Sequence, residues 1–119
     1  MEKHEFGRRS EQLACDFLQR RGWQILDRNY RAGHKEIDIV ARRGETVAFV
    51  EVKARSSLAY GFPSEFVNWK KQAEVARAAR AWLQLHVEPN LEYRFDIIAI
   101  ARDGNSYSLE HLENAWRIR

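Results

Sequence analysis

The sequence predicts one α/β domain over residues 1–119, with a mixed central β-sheet flanked by helices in the order α-β-β-β-α-β-β. Three observations lead there. Residues 36–41 and 46–53 each alternate residue by residue and are joined by a polar turn, the pattern of an antiparallel hairpin. A helical stripe ending near His86 then separates the second of these strands from an apolar run, Tyr93–Ala101. A strand, helix, strand unit of that kind brings two strands together in parallel. Finally, no repeat, low-complexity tract or linker divides the 119 residues, which suffice for one core.

Taken in order, the first element is a helix from about Phe6 to Arg21, with Leu13, Ala14, Phe17 and Leu18 as its apolar stripe and Gly22 as terminator. Glu11 lies beside the stripe, and on its own reads as a solvent-facing acid near Arg8. A strand from Trp23 to Tyr30 and a basic turn, Arg31–Lys35, lead into the hairpin. Strict alternation puts Glu36, Asp38 and Val40 on one face, with Ile37, Ile39 and Ala41 on the other. On the second strand Val47, Phe49, Glu51 and Lys53 share a face opposite Ala48, Val50 and Val52. An even loop between them puts Asp38 and Glu51 on the same face.

Beyond Lys53, residues 54–64 lack periodicity and contain Gly61 and Pro63, which predicts a mobile loop beside the acids. The second helix is expected to be capped by Asn68 and to run to about His86. Gln72, Val75, Ala76, Ala79, Trp82, Leu83 and His86 form its inner stripe, with Arg77 and Arg80 facing outward. Its first turn carries Lys70, Lys71 and Gln72, and a helix N-terminus also favours a phosphate. After a turn at Pro89-Asn90, the run Tyr93–Ala101 reads as a buried strand, interrupted by Asp96 with Arg94 as its same-face ion-pair partner. A last strand, Ser106–His111, precedes a tail with Ala115, Trp116 and Ile118 as packing residues.

Composition narrows the function classes. Charged residues at 31% and hydrophobic ones at 45% suit a globular protein rather than a disordered one. No apolar run is long enough to span a bilayer and the N-terminus lacks a signal-peptide core, so a cytoplasmic protein with no membrane partner is expected. Cys15 is the sole cysteine, which excludes an internal disulfide and agrees with a reducing compartment, and the histidines lack zinc spacing. The net charge of +3 hints at an anionic partner, and arginine supplies 15 of the 20 cations. A guanidinium grips phosphate in a bidentate fork. A GC-rich genome raises the arginine share equally well.

The hairpin carries a charge conflict. Two carboxylates about 4 Å apart repel by roughly 4 kcal/mol at an effective dielectric near 20, comparable to the net stability of a small domain. Pairing with Lys53, protonation of one acid, or a divalent cation between them would relieve it. Asp38 followed by Glu51-Val52-Lys53 fits the spaced D…E-x-K pattern of metal-dependent nucleases. Asp38, Glu51 and the Val52 carbonyl supply the hard oxygen ligands that Mg²⁺ or Mn²⁺ takes, and Lys53 is an ammonium suited to orient water or offset charge on a phosphate.

More of the chain agrees. Gly7-x-x-Ser10-Glu11-x-x-Ala14, Asn29-x-Arg31, Glu36-Ile37-Asp38-Ile39-Val40-Ala41 and Val47-x-Phe49-Val50-Glu51-Val52-Lys53-x-Arg55 resemble the YraN family within the restriction-endonuclease-like, PD-(D/E)xK superfamily. The resemblance continues through Gly61-x-Pro63-x-Glu65-x-Val67, Lys71-Gln72, Arg94-Phe95-Asp96 and His111-x-x-Asn114-Ala115. It implies a nuclease-like core similar to archaeal Holliday-junction resolvases, with Asp38, Glu51 and Lys53 as the catalytic set and Glu11 as a further acid approaching the metal. Lys71 and Gln72 would face substrate, and Arg31, Arg55 and Lys70 are expected to join them in contacting nucleic acid. Ser10 and Lys35 depart from the glycines frequent in the family, and Lys35 adds bulk and charge beside the site.

The expectation is therefore a Mg²⁺- or Mn²⁺-dependent endonuclease acting on DNA, branched or otherwise structured, with RNA not excluded and a homodimer suggested by the two-fold symmetry of a junction. Two alternatives stand beside it. One is a nucleic-acid-binding module of the same fold that does not cleave or needs a partner. The other is a structural or interaction protein in DNA processing.

Overall fold

In the computed structural model, which describes residues 3–55 and 69–118, five strands form one sheet in sequence order. They are β1 (Gln24–Ala32), β2 (Lys35–Arg43), β3 (Thr46–Arg55), β4 (Glu92–Asp103) and β5 (Ser106–Trp116), with helices α1 (Lys3–Arg20) and α2 (Trp69–Leu85). Only β3 and β4 run parallel, joined by the crossover through α2, while the other neighbours are antiparallel. The mixed sheet and the α-β-β-β-α-β-β order are those read from the sequence.

The alternating strand residues feed two cores. Ala14, Cys15 and Leu18 of α1 pack with Ile39, Ala41, Ala48, Val50, Ile98 and Ile100 on one side. Val75, Ala76, Ala79 and Trp82 of α2 pack with Ile37, Val40, Val47, Phe49 and Phe95 on the other. Burying each large aliphatic or aromatic side chain here stabilises the fold by roughly 1.5–3 kcal/mol. Trp82 is also fixed by polarity, its indole Nε1 donating to Asp27 Oδ2 at 2.6 Å.

Several boundaries differ from expectation. β1 runs on through Arg31 and Ala32, so the basic turn shrinks to Gly33 and His34, with Gly33 at φ +65°. Ala54 and Arg55 extend β3 rather than opening the loop, because both pair with β4 across from Ile100 and Ala101. β5 continues to Trp116 through a register shift near Phe95, and Trp116 stacks on Phe95 with ring centroids 4.0 Å apart. The Asn68 cap, the rest of the expected mobile loop and the Gly61-x-Pro63-x-Glu65-x-Val67 motif lie outside the described residues.

Asp96 does pair with Arg94, at 3.1 Å. It is fully buried, and it also meets His111 Nε2 at 2.8 Å and accepts the Asn114 backbone N–H at 2.9 Å. The two motifs Arg94-Phe95-Asp96 and His111-x-x-Asn114 are thus one polar knot joining β4 to β5.

Candidate functional site

The site begins where a ladder ends. β2 and β3 pair from Arg43–Thr46 to Ile39–Val50, and continuing that register would set Asp38 across from Glu51. Instead the Val52 backbone N–H donates to Asp38 Oδ2 at 2.7 Å. The side chain satisfies a donor that the interrupted ladder leaves over.

Alternation also slips here. Ile37 packs in the core under α2 while Ile39 packs in the core under α1, so Ile39 does not share the face of Ile37 as strict alternation requires. Asn29, on the adjacent strand between the paired Arg28–Ile39 and Tyr30–Ile37, has φ +53°, a left-handed backbone that asparagine tolerates better than most residues. The disturbance on both strands turns Asp38 toward α1. There Glu11, Glu36 and Asp38 each offer one carboxylate oxygen, and these atoms all lie within 4.8 Å of one another. Asn29 ties the group together: with its amide nitrogen facing the acids it donates to Glu36 Oε1 at 2.7 Å and to Glu11 Oε1 at 2.8 Å.

The electrostatics reflect the crowding. Burial pushes the Asp38 carboxyl up to about 6, against the pull of the Val52 N–H, and Glu11, Glu51 and Glu36 raise it further. Glu11 is raised by burial first and then by Glu36, with Arg28 opposing. Arg28 is anchored to the same helix, donating to Gln12 Oε1 at 3.0 Å.

Glu51 lies on the other side of β3. Its Oε1 meets Lys53 Nζ at 2.6 Å and Lys71 Nζ at 3.6 Å, so the first turn of α2 does reach the hairpin. Burial and the neighbouring Lys53 ammonium lower the Lys71 amine. Lys35 bridges to α2 as well, 3.1 Å from Glu74.

The sequence-selected residues therefore divide. Glu11 and Asp38 come together with Glu36, an acid outside the D…E-x-K set. Glu51 and Lys53 form an ion-paired group with Lys71, near enough for Glu51 to act on Asp38. Val52 engages Asp38 through its amide. Arg31 is exposed and pairs with Glu36 at 3.4 Å, Arg55 sits half-buried at the end of β3, and Lys70 is exposed on α2. Gln72 lines a groove between α2 and the end of β5. Asn29 was missed as a member of the site. An asparagine inside a strand was the available signal, since that residue is depleted there.

No helix among the described residues is long and apolar enough to cross a membrane.

Comparison with known proteins gives the lineage. The profile of Uncharacterised protein family UPF0102 matches residues 10–100. A UPF0102 protein of Chlorobium phaeobacteroides (strain BS1) is 44% identical, the match covering 95% of this chain and 94% of that one. One from Alkaliphilus oremlandii is 43% identical over 94% of this chain and 97% of its own. Another from Chloroherpeton thalassium is 45% identical over 82% and 76%. Likeness at this level over nearly the whole length, spanning Glu11, Asn29, Glu36, Asp38 and Glu51, means that the chain belongs to the UPF0102 family, the YraN-like group its motifs resemble.

Proposed function

We propose that this protein is a divalent-metal-dependent endonuclease that hydrolyses phosphodiester bonds in DNA, with branched or structured DNA as substrate. The observation that carries the reading is the convergence of Glu11, Glu36 and Asp38 from α1 and β2 beside the Glu51–Lys53–Lys71 group. The residues suit Mg²⁺ or Mn²⁺: the donors are all hard oxygens, and Asp38 is held in a state where its charge is penalised by burial and by like charges.

In this reading Glu11, Glu36 and Asp38 would hold the cation, with Glu51 and the Val52 carbonyl as the further oxygens nearby that could join them. When bound, the cation supplies Lewis-acid polarisation of a phosphate and a water of lowered pKa. Lys53 offsets negative charge growing on the phosphate, Lys71 steadies Glu51, and Arg31, Arg55, Lys70 and Gln72 contact the nucleic acid. A homodimer suits the two-fold symmetry of a junction. The cytoplasm, where DNA is met and Cys15 stays reduced, is the matching compartment.

The reading is tested by incubating the protein with a labelled four-way junction or flap. Mg²⁺ or Mn²⁺ should support cleavage, and Asp38→Asn or Lys53→Ala should abolish it. Cleavage that persists in chelator, or in Glu51→Gln, overturns the mechanism. Salt-sensitive binding without turnover would instead select the non-cleaving module.

Asn29 gives a second measurement. Asn29→Ala removes both amide contacts that set the spacing of Glu11 and Glu36. Divalent-ion affinity by calorimetry should fall about 10- to 100-fold, the usual effect of removing a hydrogen-bond partner of metal ligands. Unchanged affinity would show that the acids need no such support.

A further inference from the structure

Between α2 and the end of β5 lies a groove that the acidic site does not use. It is a cleft of about 280 Å³ whose lining includes Trp69, Gln72, Arg77, Arg80, Trp116 and Arg117. Among the described residues no carboxylate lines it, and Arg77, Arg80 and Arg117 have no acidic partner. Three positive charges therefore gather in one cleft of a chain whose whole net charge is +3. The indoles stand at its walls. Trp69 is 57% exposed, and Trp116 is held in place by stacking on Phe95. The groove starts at the first turn of α2, the turn from which Lys71 reaches Glu51.

We propose that this groove binds an unpaired polynucleotide strand, the arm of the substrate that leaves the acidic site. The polymer's identity rests on the nuclease reading, while the choice of an unpaired strand rests on the groove itself. Guanidiniums serve any phosphate backbone, but indole walls add affinity only where base faces are free to stack, and a duplex keeps its base faces stacked on one another. A cleft of this volume takes a flat base and cannot take the side of a duplex. Arg77 and Arg80, one turn apart on the helix, then meet the phosphates beside the stacked base.

The test is fluorescence anisotropy with a labelled single-stranded homothymidine oligonucleotide in chelator, run beside a duplex of the same length and with intrinsic tryptophan fluorescence recorded. The wild-type protein should bind the single strand in a salt-sensitive way with quenching. Arg77→Glu/Arg80→Glu should weaken that binding by about tenfold or more, and Trp69→Ala by about 5- to 100-fold. Both changes are at exposed positions, and circular dichroism checks that each variant folds. Single-strand affinity unchanged in both variants overturns the proposal. So does an equal loss for the duplex, or competition by polyglutamate as strong as by the oligonucleotide, which would make the groove a site for acidic protein. Binding that is intact in Asp38→Asn but lost in the groove variants supports the groove, even if the wild-type protein cleaves nothing.

Discussion

Asp38→Asn should make the metal-free protein more stable at neutral pH while removing its cleavage. Asp38 titrates at about 6 in the folded chain, against an ordinary value of 3.8. Between those values the folded state holds a proton that the unfolded chain has released, so stability falls as pH rises through that window. The loss is complete above about 6 and amounts to something on the order of 3 kcal/mol. Below 3.8 both states are protonated and nothing is lost. Asparagine keeps an oxygen to accept the Val52 N–H but carries no charge. Urea denaturation in chelator should therefore show wild type weakening from pH 4 to pH 7, with the variant lacking that component. Adding Mn²⁺ should recover the wild type and leave the variant unmoved. A variant less stable than wild type at pH 7 would mean that the Asp38 charge is not held at a cost.

Asp96→Ala should act in the opposite direction, and without regard to metal. The carboxylate is fully buried and takes contacts from Arg94, His111 and the Asn114 amide. Removing it takes the buried acceptor from His111 and from the Asn114 backbone N–H, and leaves the Arg94 guanidinium, packed against Trp23, with only the exposed Glu113. Breaking a buried charged network from one side costs about 3–5 kcal/mol. For a chain of this size that lowers Tm by on the order of 10–20 °C. Divalent-ion binding by the fraction that stays folded should be unchanged, which separates this knot from the acidic site. A loss under about 1 kcal/mol would show that the network is dispensable.

The two halves of the site were unequally legible. The β3–α2–β4 crossover could be read because an apolar run, a helical stripe and a second apolar run are local signals. Asp38, Glu51 and Lys53 could be read because their spacing lies within one hairpin. Glu36 and Asp38 stay together as alternation has them, but their separation from the face of Glu51 could not be read, because alternation slips between Ile37 and Ile39. That slip accompanies the backbone of Asn29 on a different strand, which no pattern within β2 announces. The Asp96 knot was half legible for the same reason. Arg94 is two residues away, whereas His111 and Asn114 arrive 15 and 18 residues later through a strand whose register shift hid its true length.

The early end of the β2–β3 ladder has a mechanical consequence. Past Ile39–Val50 the tip of β2 is hydrogen-bonded to β1 and turns its Glu36 and Asp38 carboxylates to Glu11 of α1, while the tip of β3 is bonded to β4 and tied by Glu51 to α2. The sheet therefore has a seam, and the acidic group sits on one lip of it while the lysines sit on the other. The Asp38–Val52 hydrogen bond is a stitch across that seam. A cation shared between the lips would be a second and stronger stitch. The exchange rate of the Val52 amide hydrogen then becomes a gauge of whether the two lips are closed.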